Sequence, residues 1–279
     1  MASDPLVEVP LEEWPELRDG FKKNWTTSVP HYYALHLNIK YPEIREGFQF
    51  RVFCPYGDPN NGLVVTTVKG EMDVVIMPIS TNVDKLEEAI VNSKRINWTN
   101  KICVDLMCPR AVDILKRLKT KLSLSCCKIM PTTTFFYDRN MTPFTDLDLP
   151  ENTYLQAVKL EDVTQVDNAW PYKHSASKFY FSTLINNGLS SALYYSKDQS
   201  LLAWVFLNEY SFICNLYCEE PYRRFGYAKY LIKSLVNDQL KKNEGAYCFV
   251  VEGNEKSYGL MEKLGFKIIE EFCWAYAHK

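Results

Sequence analysis

Two arginines, a glycine and the start of a helix stand close together between residues 219 and 228, in the run EEPYRRFGYA. Arg223 and Arg224 place two guanidinium groups side by side, and Gly226 follows after one residue. Guanidinium groups bind phosphate, and a glycine lets a ligand approach the backbone closely. The pattern therefore predicts a binding site for a phosphate or pyrophosphate group.

The chain on either side supplies the elements that would position this site. Residues 211–218 form an apolar run that is typical of a strand. Residues 227–242 predict a helix whose apolar positions share one face, namely Ala228, Leu231, Ile232 and Leu235. A strand, a glycine turn and a helix in that order direct free backbone N–H groups toward one point, at the positive end of the helix dipole.

The motif differs from the commoner phosphate loops, because the sequence has neither G-x-x-x-x-G-K-[ST] nor G-x-G-x-x-G. Arg223, Gly226 and Ala228 instead fit R-x-x-G-x-A. This resembles the [QR]-x-x-G-x-[GA] signature of the GNAT superfamily of acyl-CoA-dependent N-acyltransferases. Residues 254–266, NEKSYGLMEKLGF, resemble a later segment of that superfamily and begin with Asn254, a suitable helix N-cap.

The resemblance implies a binding site for acyl-CoA or acetyl-CoA as co-substrate. The turn would hold the pyrophosphate, and the strand before it would carry the acyl carbonyl and the pantetheine arm along its backbone. The residues expected to bind the cofactor are Leu216, Tyr217, Cys218, Arg223, Arg224, Phe225, Gly226, Tyr227, Ala228, Lys229, Asn254 and Ser257.

The candidates for acid–base catalysis depart from the superfamily pattern. Many GNAT enzymes use a tyrosine just before the E-K-L-G-F element as general acid, and Met261 stands there in this chain. The catalytic candidates are Tyr258, one turn earlier, and Glu252, at the end of the preceding strand. Packing of Tyr258 and solvation of Glu252 are the competing interpretations. Solvation at the surface is also expected for the carboxylates that flank the strand, Glu209, Glu219 and Glu220.

Two further readings concern the chemistry beside the cofactor. Cys218 would lie near the thioester, so an acyl-cysteine step is an alternative to direct transfer. Trp170, Lys173 and His174 lie in a region that shapes the acceptor pocket in GNAT relatives, and Lys173 and His174 would receive an acceptor carboxylate. Exposure in a loop is the competing interpretation for these two residues.

Polar and proline-containing residues at 138–150 separate two halves with one order of predicted elements: two helices, three strands, helix, strand, helix, strand. We therefore predict an α/β (α+β) fold of tandem GNAT-like modules, each a mixed, mostly antiparallel sheet flanked by helices. A degenerate N-terminal domain would occupy 1–145 and an acyl-CoA-binding catalytic domain 146–279. The N-terminal half has PISTN at 78–82 in place of the turn, without glycine or arginine. The whole chain resembles the glycine N-acyltransferase and FR47-like group.

Composition narrows the class of protein. The chain has 279 residues, 47% of them hydrophobic, and a net charge of −2, so no global field favours nucleic acid or an anionic membrane. Nine cysteines without a pairing pattern predict free thiols, with Cys126 and Cys127 among them. The histidines lack metal-ligand spacing, so no metal is expected. We expect a cytoplasmic protein, with the mitochondrion as the alternative that the resemblance suggests, and a monomer is compatible with the sequence.

The favoured function is acyl-CoA-dependent N-acyl transfer, with an acetyl or other short acyl group passing to the amine of a small acceptor, an amino acid such as glycine among them. A catalytically silent CoA-binding or scaffold protein is the alternative that Met261 and the carboxylate-free strand favour. Protein N-acetylation is less favoured, because no acidic groove for a basic tail is apparent in the sequence.

Overall fold

The computed structural model describes residues 3–279, apart from the side chain of Cys126. The chain divides into two units. The first unit contains the chain up to Thr133 together with Glu270–Lys279, and the second contains Thr134–Ile269. None of the described helices is long and apolar enough to cross a membrane.

The first unit is a sheet with helices packed against it. Its helices are α1 (Trp14–Gly20), α2 (Trp25–Lys40), α3 (Pro42–Gly47), α4 (Asp84–Asn92) and α5 (Pro109–Lys121), and its first five strands are β1 (Leu6–Glu8), β2 (Arg51–Pro55), β3 (Leu63–Val68), β4 (Met72–Met77) and β5 (Ile102–Met107). Neighbouring strands from β1 to β4 pair antiparallel, and β4 pairs parallel with β5. Apolar side chains of α4 and α5 pack with one face of the sheet into a shared core.

The second unit repeats this arrangement. Its strands are β7 (Thr153–Gln156), β8 (Ser190–Tyr195), β9 (Leu201–Leu207), β10 (Ile213–Cys218) and β11 (Ala246–Val251), and its helices are α6 (Val163–Ala169), α7 (Ser177–Asn186), α8 (Tyr227–Lys241) and α9 (Glu255–Lys263). Strands β7 to β10 pair antiparallel, and β10 pairs parallel with β11. The mixed, mostly antiparallel sheets and the tandem arrangement confirm the predicted fold class.

Two long strands, β6 (Cys126–Tyr137) and β12 (Lys267–His278), explain why the units differ from the boundary expected at residues 145 and 146. In the first unit the strand beside β5 is β12, with Cys273 opposite Met107. In the second unit the strand beside β11 is β6, from the N-terminal half of the sequence. Most of β12, at the C-terminal end of the chain, thus belongs to the first unit, and the last residues of β6 belong to the second, which local composition does not reveal.

The polar stretch that suggested a linker belongs to the second unit and is attached to α8. The backbone N–H of Phe144 donates to Asn237 Oδ1 at 2.9 Å, and Asn237 Nδ2 donates to the Phe144 carbonyl at 2.8 Å. The buried ammonium of Lys233 pairs with Asp146. A side chain that satisfies both backbone groups of one residue acts like a strand neighbour, so this stretch is fixed although it has no regular structure.

Helix α8 is the element whose bounds the sequence predicted most accurately. The prediction of residues 227–242 differs from the observed helix by one residue, and Leu231, Ile232, Leu235 and Val236 are buried against the sheet. The N-terminal helices are less regular. Two 3-10 turns flank the short α1, and α2 contains Pro30.

Candidate active site

The site begins where β10 separates from β11. Strand β10 pairs with β9 up to Cys218, which lies opposite Ala203, and a bulge interrupts this ladder between Cys214 and Tyr217. Asn215 has a positive φ of 50° within the bulge. In the described structure the pairing with β11 is confined to Ile213, opposite Cys248. Beyond Ile213, the edge of β10 that faces β11 therefore pairs with no strand or helix among the described residues.

A turn with two left-handed residues joins β10 to α8. Arg224 has a φ of 70°, and Gly226, the N-cap of α8, has a φ of 84°. The six backbone amides of residues 224–229 have no hydrogen-bond acceptor among the described residues. The first amide that has one is that of Tyr230, which donates to the Gly226 carbonyl at 2.9 Å. These N–H groups stand at the positive end of a 15-residue helix. The turn is therefore suited to an anion.

At Gly226 the left-handed backbone conformation favours glycine, whereas space does not, because a Cβ built on it would meet no atom of the chain within 4 Å. A left-handed φ disfavours any residue with a Cβ. The open space also means that a ligand can reach the backbone here without displacing a side chain. Phe225, beside it, is 66% exposed.

The two arginines, which the motif presents as equivalent, have different surroundings. Arg223 donates from Nε to the Cys218 carbonyl at 3.0 Å and from Nη1 to Glu220 at 3.0 Å. Its guanidinium also lies 5.6 Å from the ring centroid of Tyr217. The side chain of Arg224 is exposed, and no partner for it is found among the described residues. The spacing of the motif gave no sign of this division.

The electrostatics of the helix start favour a negatively charged ligand. Tyr227, Ala228 and Lys229 form the first turn of α8, which contains no acidic residue. The corresponding helix of the first unit, α4, has Asp84 and Glu87 in its first turn.

Side-chain oxygens accept from two backbone amides at and just before the start of α4. Asn82 Oδ1 accepts from the amide of Asp84 at 2.8 Å, and Ser80 Oγ accepts from the amide of Asn82 at 3.1 Å. Side-chain oxygens thus occupy amides that in α8 have no such partner.

Cys218 ends β10 as a half-buried thiol. Its Sγ lies 3.3 Å from the Tyr222 carbonyl, to which it donates. Burial raises the pKa of Cys218, against the opposing charge of Arg223. The thiolate, which is the nucleophilic form, is therefore disfavoured near neutral pH.

The segment around α9 has the local structure that the sequence predicted. Asn254 caps the helix by accepting from the amide of Ser257 at 3.2 Å, so the two residues expected at the cofactor hold each other. The ring of Tyr258 packs edge-on against Phe135 at 5.1 Å, and Met261 is buried. The contacts of Tyr258 are those of a packing residue.

The carboxylates near the site have three different environments. Glu252 and Glu220 are exposed, as expected for surface residues. Glu219 is half-buried and accepts from Gln165 of α6 at 2.7 Å. The expectation that Glu209 is solvated is wrong, because it is completely buried in the tight connection between β9 and β10.

The loop between α6 and α7 contains the three predicted acceptor residues. Trp170 packs against Phe181 at 5.2 Å and contacts the ring of His174 at 5.7 Å. His174 Nδ1 accepts from the amide of Ala176 at 3.3 Å, and Lys173 donates to Asn168 at 3.0 Å. The two polar side chains are exposed and make contacts within the loop.

One group of residues in the described chain has the geometry of metal ligands, although the sequence predicted none. Asp73, Cys103 and Asp105 place their ligand atoms within 4.8 Å of one another. The ammonium of Lys69 forms ion pairs with both carboxylates. The positive charge of Lys69 thus balances the two carboxylates, so they attract a metal cation less strongly.

Comparison with known proteins supports this architecture. Residues 191–275, from β8 to β12, match the family model described as FR47-like protein. No curated protein matched the chain by sequence. A structural-genomics target from Drosophila has a TM-score of 0.87 at 18% identity, covering 98% of each chain.

Two further structures share the architecture at lower identity. A tandem GNAT protein from the clavulanic acid biosynthesis pathway, solved without AcCoA, has a TM-score of 0.58 at 9% identity and covers 97% of each chain. A GNAT-family acetyltransferase from Colwellia psychrerythraea has a TM-score of 0.52 at 14% identity and covers 98% of this chain and 99% of its own. The chain therefore has a tandem GNAT fold and carries an FR47-like segment in its second half.

Proposed function

We propose that the chain is an acyl-CoA-dependent N-acyltransferase that passes an acetyl or other short acyl group to the amine of a small acceptor. The observation that carries the proposal is the run of six amides at 224–229 without acceptors, at the start of α8. Backbone amides in this arrangement bind a pyrophosphate through several charge-assisted hydrogen bonds at once.

The end of β10 indicates along which strand the rest of the ligand would lie. Because β10 leaves β11 after Ile213, the backbone at Leu216, Tyr217 and Cys218 can pair with the amide groups of an extended ligand. The pantetheine arm of CoA contains such amides. The ring of Tyr217 stacks on buried Trp204 at 4.8 Å, which holds this part of the strand in place.

Acyl-CoA supplies a thioester carbonyl that an amine can attack, and the protein must then hold both reactants in line. Direct transfer fits the site better than an acyl-cysteine intermediate, because burial raises the pKa of Cys218. Tyr258 and Glu252 remain candidates for moving protons. An acceptor amine of low pKa that loses its proton in bulk solvent needs no base from the chain.

Amino acids are the acceptor class to test first. Lys173 and His174 are exposed beside Trp170, so the α6–α7 loop offers a cationic group and aromatic surface. A carboxylate such as that of glycine would pair with Lys173. The mutation Lys173→Ala should then raise KM for glycine and leave KM for a simple alkylamine unchanged.

Calorimetry and a thiol-release assay test the function. CoA and acetyl-CoA should bind saturably, and free CoA should appear only when an accepted amine is present. Absence of both heat and thermal stabilisation with CoA and with several short acyl-CoAs would refute the proposal.

A catalytically silent CoA-binding protein is the second candidate, and the environment of α9 favours it. Met261 is buried where many GNAT enzymes have tyrosine, and Tyr258 packs on Phe135. This candidate predicts CoA binding without turnover across a broad panel of amines. Amine-dependent release of thiol excludes it.

A further inference from the structure

One buried hydroxyl closes the loop between α6 and α7. Ser177, the first residue of α7, is completely buried, and its Oγ donates to a carboxylate oxygen of Asp167 on α6. The same Oγ accepts from the amide of His174 at 3.2 Å and lies 2.7 Å from the His174 carbonyl. Because a hydroxyl has one hydrogen, donation to Asp167 leaves its lone pairs free to accept from the amide of His174.

The carboxylate of Asp167 is buried without an ion pair among the described residues. Asp167 is 6% exposed, and its hydrogen-bond donor in the structure is the hydroxyl of Ser177. The positive end of α7, which begins at Ser177, offsets part of the cost of burying this charge. A buried polar pair of this kind allows one arrangement of the groups bonded to it. The end of the loop is therefore fixed relative to α6.

Trp170 fixes the beginning of the loop. Its ring stacks on Tyr180 at 5.8 Å and packs edge-on against Phe181 at 5.2 Å, and its amide donates to the Asp167 carbonyl at 3.2 Å. Lys173 lies between the two fixed ends, with its amide bonded to the Trp170 carbonyl at 3.2 Å and its side chain exposed. The backbone that carries Lys173 is thus held on both sides.

We propose that Asp167 and Ser177 are positioning residues that act through Lys173, because they hold the loop where the Lys173 ammonium can receive the carboxylate of the acceptor. This role rests on the amino-acid acceptor proposed above. The ammonium donates to the neutral side chain of Asn168 at 3.0 Å, so its charge is not neutralised by any described carboxylate. An amino acid has its amine at a short distance from its carboxylate, so a fixed cation also orients the amine for attack. A simple alkylamine gains nothing from this contact.

Steady-state kinetics with acetyl-CoA give the first test. Ser177→Ala should raise KM for glycine about tenfold, the scale of one hydrogen bond to a charged group, and leave kcat and KM for a simple alkylamine within about threefold of wild type. Asp167→Ala should do the same. Asp167→Asn keeps an acceptor for the hydroxyl and should stay within about threefold of wild type for both amines. Equal losses with glycine and alkylamine would overturn the proposal.

Tyr194→Phe is the matched control for lost stability. Tyr194 is also completely buried, and its hydroxyl donates to Asp162 at 2.7 Å. Its removal should lower the melting temperature as Ser177→Ala does and leave KM for glycine unchanged. A rise in this KM as large as that in Ser177→Ala would show that the effect follows from stability and would refute the positioning role.

A double-mutant cycle shows whether the hydroxyl acts through Lys173. Lys173→Ala should raise KM for glycine, and the addition of Ser177→Ala should raise it no further, because the group that the loop positions has been removed. Additive effects of the two mutations would refute the proposal, since Ser177 would then affect the acceptor by another route.

Hydrogen exchange without ligand separates this role from the proposed function. The amide of His174 should lose protection in Ser177→Ala and in Asp167→Ala and keep it in Asp167→Asn. Unchanged protection in the alanine variants would refute the positioning role whatever the activity. If exchange behaves as expected and wild type acetylates no amine, the proposed function fails, and the role of the loop toward an acceptor fails with it. Turnover of alkylamines without turnover of glycine would refute the role of the loop alone.

Discussion

Replacement of Gly226 tests whether the turn at the start of α8 is the ligand site. At a φ of 84° any L-residue with a Cβ is strained, yet a Cβ at Gly226 meets no atom of the chain within 4 Å. Gly226→Val should therefore lose about 1–2 kcal/mol of folding stability and remain folded. Its side chain would extend into the space that a pyrophosphate must enter to reach the amides.

The effect on binding should exceed the effect on stability. A charge-assisted hydrogen bond contributes about 1.5–3 kcal/mol, so displacing the ligand from two amides costs about 3–6 kcal/mol, more than a hundredfold in Kd. Gly226→Asn separates the two reasons for glycine, because asparagine tolerates the left-handed conformation. If close approach matters, Asn should impair binding nearly as much as Val.

Gly188 provides the matched control. It has a φ of 68°, also has no atom within 4 Å of a Cβ, and follows α7 away from the turn. Gly188→Val should reduce the melting temperature as Gly226→Val does and leave CoA affinity unchanged in calorimetry. Wild-type affinity in Gly226→Val would show that the turn does not bind the ligand.

Three further predictions concern other parts of the chain. Calorimetry should give one CoA per chain, because the first turn of α4 contains two carboxylates and the amide of Asp84 is already bonded to Asn82, and a stoichiometry of two would contradict this. Cys218→Ser should keep activity within about threefold, since burial raises the thiol pKa, and mass spectrometry of the wild type with acyl-CoA should detect no acyl-enzyme. Burial lowers the pKa of His31 to about 4, while its Nε2 lies 3.1 Å from the Leu106 carbonyl. Because the unfolded histidine titrates near 6.5, this contribution is complete above that pH, and about 3 kcal/mol should be lost as pH falls through 4. Urea unfolding of His31→Gln should lack this part of the pH dependence, and an unchanged profile would refute the assignment to His31.

Helices and strands could be predicted from the sequence wherever the apolar residues followed a single periodicity. The helix at 227–242 shows a single apolar face, and the strand at 211–218 lies between turn residues, so both were located within two residues. The place of the C-terminal strand β12 in the first unit could not be predicted from the sequence. Strand pairing at that distance depends on edges that only the folded sheets present, and residues 138–150 have the composition of a linker although Asn237 fixes them to α8.

At the candidate site the sequence revealed residue types and missed their partners. The motif predicted the same role for Arg223 and Arg224. In the structure, Arg223 donates to the Cys218 carbonyl and pairs with Glu220. The burial of Glu209 was likewise hidden, because its neighbours in sequence give no sign that the connection from β9 to β10 is covered.

The two helix starts differ in the features on which the proposed binding site depends. In both units a helix follows the strand that pairs parallel with the next one, so the helix dipole and the orphan amides arise from topology alone. At α4 the side chain of Asn82 satisfies the amide of Asp84, the first residue of the helix, and the carboxylates of Asp84 and Glu87 in the first turn stabilise the helix and repel an anion. At α8 the chain leaves the amides open and accepts strain at Arg224. Amides without acceptors and a left-handed residue lower folding stability unless a ligand offsets them, which supports the proposal that the turn before α8 binds a ligand.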